Sequence, residues 1–347
     1  MLRLLALIAL VLLSPPLGAR PLEWAPFPVL AYTPESGAIG GAYLQGVWTG
    51  DSLRHESQLA GWLTFSSKRQ AELGLRPELW LATDRWVLQG ELSYQNWPAT
   101  WFGAGDPPQE ASYTVERLKA ELQVRRRLAP GCFAGCYGLQ VRESFVDWDP
   151  GFPLSGDEGR DTGLGGEAVL DTRDGSIWPT RGLYVLGRAA RHGDWLGNAR
   201  PYTRWLLDGR AYQRAGGGVL AGQLALEGRS GEPGFRALPK LGDYLRAYED
   251  LRFLNPWLLA GRVEWRRPLT LPAWSGRWFE RRCGLVAFVE LGSMAAQPEK
   301  LPGAAWKRSL GLGGRYALLP AQHVNVRADL ALGSDGLALR IKVGEEF

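Results

Sequence analysis

Methionine, cysteine and histidine are scarce in this 347-residue chain, which has Met 2, Cys 3 and His 3. Long apolar runs are scarcer still. The one continuous stretch, Leu4 to Leu13, falls short of the roughly 20 residues a helix needs to cross a bilayer, so a helical membrane protein is excluded. His55, His192 and His323 do not cluster, and too few other ligands accompany them for a metal centre, so neither metal nor cofactor is expected. No G-x-S-x-G segment offers a nucleophile elbow, and His323 reads as a polar lining residue; the chain is not expected to be an enzyme. The Gly163-Leu164-Gly165-Gly166 run leads into no helix and is no phosphate loop; glycine there relieves crowding in a sheet wall. The 40 basic residues are interleaved with 36 acidic ones, leaving a net charge of +4 without a basic patch, so nucleic acid is not a partner. On an extended strand Cys132 and Cys136 lie roughly 13 Å apart, too far for a disulfide, whereas a turn over residues 131–136 would permit one. Both arrangements are open from sequence.

What is present begins with a leader. Arg3, the apolar run and Ser14-Pro15-Pro16-Leu17-Gly18-Ala19 form the charged, apolar and small-residue regions of a signal peptide over residues 1–19. No cysteine sits beside that boundary to accept a lipid. Residues 20–347 are therefore expected to be exported as one domain. Their composition, with Gly 45, Trp 16 and Tyr 11, suits an aromatic-girdled barrel without requiring one.

Period-two alternation makes the stronger case, because successive side chains on a strand point to opposite faces. From Arg117 to Arg125, Leu118, Ala120, Leu122 and Val124 alternate with Arg117, Lys119, Glu121, Gln123 and Arg125, a charged set too dense for the interior of a soluble sandwich. Val324, Val326, Ala328 and Leu330 alternate with Asn325, Arg327 and Asp329; Leu337, Leu339, Ile341 and Val343 alternate with Arg340 and Lys342. Weaker repeats parse the rest into about sixteen antiparallel strands, an even number suited to an all-β transmembrane barrel of the bacterial outer membrane. They fall near 27–34, 38–48, 56–66, 69–82, 85–96, 111–127, 133–147, 161–172, 181–192, 201–213, 217–227, 256–267, 282–293, 305–318, 322–332 and 336–347. With the N-terminus periplasmic, most long connections, including 97–110, 148–160 and 228–255, fall on the external side, as such barrels require. Acidic residues in them, such as Asp147, Asp149, Asp157 and Glu158, read as solvated loop.

Two motifs carry a resemblance. Asp171-Thr172-Arg173-Asp174, followed by Pro179 and Gly182, resembles the D-x-R-D…P-x-x-G signature of the bacterial surface antigen, or BamA/TamA, superfamily. Leu245-Arg246-Ala247-Tyr248 resembles that family's V-R-G-Y/F motif, which sits in the sixth external loop, where the parse also places it. Residues Pro28 to Gly37 are similar to the family's first hairpin, so the resemblance runs from about residue 28 to the end. It implies that Arg246 turns into the lumen and pairs with Glu264, Glu290 or both, since a buried guanidinium needs carboxylate partners. Ala247 replaces the family's glycine, so the left-handed backbone open to glycine is not expected there. Phe347, closing an alternating strand, resembles the C-terminal signal read by the outer-membrane assembly machinery. That machinery, outer-membrane lipid and lipopolysaccharide are the expected partners. The family's assembly members carry periplasmic POTRA domains, and the few residues between Arg20 and the first strand leave no room for one; a separate periplasmic partner would supply that role. The implied function is protein or lipid insertion or translocation through a weak seam between Pro28–Thr33 and Leu337–Phe347. The alternative is a passive channel or structural surface barrel.

Overall fold

The computed structural model describes residues 23–48, 57–102, 110–149, 159–175, 178–269, 282–319, 324–343 and 347. The leader over residues 1–19, and His55, Asp157, Glu158 and His323, lie outside the described residues. The strands are β1 (Glu23–Thr33), β2 (Gly37–Trp48), β3 (Ser57–Ser66), β4 (Ala71–Leu81), β5 (Trp86–Trp101), β6 (Ala111–Ala129), β7 (Cys132–Trp148) and β8 (Gly159–Asp171). They continue as β9 (Gly182–His192), β10 (Tyr202–Ala215), β11 (Gly218–Gly231), β12 (Trp257–Pro268), β13 (Cys283–Ala295), β14 (Trp306–Leu319), β15 (Val324–Gly333) and β16 (Gly336–Val343). Each pairs antiparallel with its sequence neighbours, and β16 returns to β1 to close the barrel.

The alternation read from sequence becomes an inside-out protein. Leu30, Leu63, Leu73, Leu122, Leu224 and Leu312 stand on the outer wall, whereas Arg125, Glu167, Arg188, Glu264, Glu290 and Asp329 are buried in the lumen. The contrast is large: Leu312 is 68% exposed and Asp329 is 0% exposed. A soluble sheet would hide the leucines and hydrate the charges; only a surrounding hydrocarbon phase makes this arrangement favourable. Inside, charges neutralise one another, as where Glu167 accepts from Arg125 at 2.6 Å and pairs with Arg188 at 2.7 Å. Exposed tryptophans stand near both barrel ends, Trp24 and Trp86 at one and Trp148 and Trp306 at the other, where an amphipathic ring suits the membrane interface.

Strand ends depart from the alternation in three places. β1 begins at Glu23 and β5 reaches Trp101, beyond the prolines (Pro26, Pro28 and Pro98) that interrupt a strand pattern in sequence. β16 stops at Val343 and does not extend to Phe347. The Phe347 ring is buried at the lumenal wall instead, 5.0 Å from the Arg266 guanidinium and 6.4 Å from the Tyr212 ring, a contact that a continuing strand could not reach. Cys132 and Cys136 both lie on extended β7, and they and Cys283 are free thiols. Strand geometry, not a turn, therefore settles the disulfide question.

Closure is uneven around the barrel. Among the described residues β1 meets β16 at the single pair Tyr32↔Ile341, whereas β15 and β16 are matched continuously from Val326↔Val343 to Gly333↔Gly336. At the opposite wall the β6–β7 hairpin turns in two residues, Pro130 and Gly131, with Gly131 at φ 73°, a left-handed conformation that costs a side-chain-bearing residue about 1–2 kcal/mol. A Cβ there would also sit 2.7 Å from the Asp171 carbonyl oxygen. Gly131→Val is expected to lower the urea midpoint, followed by the gel-mobility shift of folded against unfolded barrel, and Gly131→Asn to lower it less. Equal midpoints for the three proteins would contradict this.

Candidate functional site

The connection between β11 and β12, residues 232–256, does not stay outside the barrel. It descends into the lumen as a series of short turns, burying Leu241, Leu245, Arg246, Ala247 and Tyr248 against the inner wall. Glycines receive it: a Cβ at Gly292 would lie 2.6 Å from Leu241 Cδ1, and one at Gly333 would lie 2.7 Å from the Ala247 Cβ. The alanine at 247 is thus accommodated by an absent side chain on β15, and its backbone does not adopt a positive φ. The Tyr248 hydroxyl donates to the Arg308 carbonyl at 2.9 Å.

At the tip, Arg246 is held on three sides. Glu290 on β13 accepts from the backbone N–H and from Nε, both at 2.7 Å; Glu264 on β12 accepts from Nη2; Asp329 on β15 accepts from Nη1 at 3.1 Å. The guanidinium also lies 3.6 Å from the centre of the Phe288 ring, a cation–π contact. Cations behind the cage balance the carboxylates: Arg266 donates to Glu264 at 2.8 Å, and Arg315 to Asp329 at 2.6 Å. Arg246, Glu264, Glu290 and Asp329 are all essentially inaccessible to solvent. In such a site the planar fork of arginine satisfies several carboxylates at once, which a lysine could not do.

Arg340 extends the cage toward the seam. From β16 its Nε donates to the Arg246 carbonyl at 2.7 Å and its Nη2 to the Tyr248 carbonyl at 2.5 Å, so it grips the loop by its backbone. The same guanidinium pairs with Glu35, in the turn between β1 and β2, at 2.5 Å. One side chain therefore joins the inserted loop, the last strand and the first hairpin, next to Tyr32↔Ile341.

The Asp171 motif lies at the other end of the barrel. Asp171 accepts from Arg173 Nε at 2.9 Å and Nη2 at 2.7 Å, and the Arg173 guanidinium covers the Tyr184 ring at 4.5 Å. Asp174 accepts from the backbone N–H groups of Thr180 at 2.7 Å and Arg181 at 3.1 Å. Pro179 is buried, and Gly182 takes φ 106° where a Cβ would lie 2.4 Å from the Thr172 carbonyl oxygen. Every residue of the motif serves this turn, far from the Arg246 cage.

Inside the loop, Lys240 pairs with Asp250 at 2.7 Å. The Asp243 side chain touches lumenal solvent but is enclosed by protein at longer range; this enclosure and the Asp250 charge raise its carboxyl to about 8. Asp250 is held low by Lys240, against the opposing effect of its own enclosure.

A family model described as the Omp85 superfamily domain matches residues 50–232. The chain belongs to the Omp85 superfamily. The match contains the Asp171 motif and ends at the start of the inserted loop. Among solved structures the Omp85 barrel is similar to BamA from Haemophilus ducreyi lacking POTRA domains 1–3, with a TM-score of 0.60 and 10% identity over 93% of this chain and 71% of that one. It is also similar to CdiB from Acinetobacter baumannii, with a TM-score of 0.52 and 10% identity over 93% of this chain and 58% of that one. At such identity the likeness is one of fold. No curated protein matches the sequence. The fold and the superfamily together make this an outer-membrane β-barrel.

Sequence reasoning named Arg246, Glu264 and Glu290, which the Omp85 barrel brings together, but missed Asp329, Arg340 and Glu35. The lumenal parity of Asp329 and Arg340 was readable in the alternation, but the depth at which the loop meets each strand, and the reach of Glu35 from its turn, were not. Among the described residues His192 has an acid partner, Asp161, at 2.5 Å. The other His192 nitrogen faces Gly163, where a Cβ would lie 2.3 Å away, so no nucleophile is positioned there. Among the described residues no three or more His, Cys, Asp or Glu side chains form a group that could hold a metal ion.

Two outcomes are expected. Arg246→Ala strands three buried carboxylates and should destabilise the docked loop by about 3–5 kcal/mol, read as protease cleavage within 232–256; Arg246→Lys should recover only part of the loss. Unchanged protection in Arg246→Ala would refute the cage. For Asp243, a folded-state value above the unfolded one means that docking is most stable below the unfolded value and weakens as pH rises toward about 8. Loop protection should therefore be greater at about pH 5 than at about pH 9, and Asp243→Asn should flatten that slope.

Proposed function

We propose that this Omp85 barrel works in protein or lipid insertion or translocation at the outer membrane by opening between β1 and β16. The observation that carries this reading is the single pair Tyr32↔Ile341 joining the two strands among the described residues. Pro26 and Pro28 strengthen it: proline has no N–H, and residues two apart share one strand edge, so two donors are absent from one edge of β1. On either side of the pair the lipid-facing edge carries Leu30 and Leu337, among the most exposed apolar side chains of the protein. Such an edge is a template for an incoming strand or a lipid tail. Arg340 then serves as the clasp, because release of Glu35 and of the loop backbone frees the last strand from the first hairpin. Export by the leader over residues 1–19, the resident lipid and lipopolysaccharide, assembly by the outer-membrane machinery and a separate periplasmic partner belong to the same reading.

A passive structural barrel is the second reading, favoured by one observation: the Arg246 cage is complete without any substrate. Disulfide locking separates the two. With Cys132, Cys136 and Cys283 replaced by serine, Tyr32→Cys together with Ile341→Cys should abolish activity, scored as outer-membrane protein and lipid levels in cells depleted of the native protein, and reductant should restore it. Full complementation by the locked barrel would leave the passive reading standing.

A further inference from the structure

Away from the cage and the seam, the lumen holds a second charged region that the insertion reading does not use. A cavity of about 280 Å³ opens between the inner faces of β6, β7, β8, β10 and β11 and the descending part of the long loop. Its wall carries eight lysine or arginine side chains against five aspartate or glutamate.

The carboxylates are already committed. Glu143 is shared between Arg117 at 3.2 Å and Arg236 at 2.7 Å. Glu121 pairs with Lys119 at 2.8 Å, and Glu227 with Arg229 at 3.0 Å and the Tyr244 hydroxyl at 2.7 Å. Asp161 is taken by His192 at 2.5 Å and the Tyr202 hydroxyl at 2.6 Å. Asp243, the fifth, is held largely neutral near pH 7 by the raised carboxyl described above.

Two guanidinium groups have no carboxylate within direct contact among the described residues. Arg204 donates to the Tyr137 hydroxyl at 3.3 Å, and its buried Nε has no partner. Arg160 donates to the Thr162 hydroxyl at 2.9 Å and faces the Gln140 amide oxygen. Both line the cavity. Arg160 is exposed and Arg204 half-buried, so both can be reached from the cavity, and a forked donor suits an oxyanion.

We propose that this cavity binds a phosphate-class oxyanion between Arg160 and Arg204, with Lys119 and Arg236 contributing charge from the opposite walls. Phosphate fits because it brings up to two negative charges and several acceptor oxygens to a wall where cations outnumber carboxylates, even with Lys119 and Lys240 also paired to Glu91 and Asp250 beyond it, in a space several times its own volume. The anion is free phosphate or the phosphate of a lipid or glycan headgroup. This site is independent of the seam, so its failure would leave the insertion reading untouched.

The test is isothermal titration of the full chain, refolded in a nonionic detergent, with inorganic phosphate against sodium chloride of matched ionic strength, and separately with micellar short-chain phosphatidic acid. Saturable binding is expected for at least one phosphate probe and not for chloride. Arg204→Gln and Arg160→Gln should each weaken it about tenfold or more, the loss of one charge-assisted contact. Arg76→Gln, which removes a lumenal arginine outside the cavity, should leave it unchanged. Arg160 sits at the end of β8 and its replacement is tolerated by the fold even if that of Arg204 is not. Binding of phosphatidic acid alone identifies a headgroup as the source; binding of inorganic phosphate identifies the free ion. Binding of neither probe, or affinity unchanged in Arg160→Gln, overturns the site.

Discussion

A guanidinium in the interior of a membrane barrel must find carboxylates or be expelled, and the placement of Arg246 answers to that constraint. Its partners come from three strands, β12, β13 and β15, so the side chain can be satisfied only when a long external connection folds inward and those strands stand in correct register. The loop is held less by its own propensity, which yields only short turns, than by this one side chain and the apolar contacts beside it. Leu241 and Leu245 can approach the wall because Gly292 has no side chain there.

The same cage reaches the seam through Arg340, which binds the loop by its carbonyl oxygens and the first hairpin by Glu35. Docking of the loop and closure of the barrel are therefore linked through a common residue: loss of either set of partners leaves the Arg340 charge less compensated and weakens the other set. Among the described residues the seam has one backbone pair, whereas every other strand boundary has at least eight. Here the side-chain clasp supplies closure that the backbone ladder does not.

Charge is partitioned within the lumen. Around Arg246 each carboxylate is engaged by a cation, and the region is a closed structural unit. Between β6 and β11 cations outnumber carboxylates, and Arg160 and Arg204 make no direct contact with a carboxylate among the described residues. Both regions obey one rule, that ions withdrawn from bulk water seek counter-ions. In the first the fold supplies them; in the second it leaves room for one from outside.

The sequence by itself determined the class of the protein. Alternation in stretches such as Arg117–Arg125 assigned each side chain to lipid or lumen because parity is a local property of an extended chain, and the Asp171 and Leu245 motifs carried the superfamily. It could also nominate Glu264 and Glu290, since their parity and neighbouring strands are local facts too. Only the tertiary structure decided that Asp329 completes the cage, that Arg340 reaches Glu35 from the other end of the chain, that the β1–β16 ladder has one pair among the described residues, and that the Phe347 ring sits at the lumenal wall. Each of these depends on the depth to which a loop descends, on how the last strand meets the first, or on which walls face one another across the lumen. Such distances across the lumen are set by the closed barrel as a whole and leave no periodic trace along the chain.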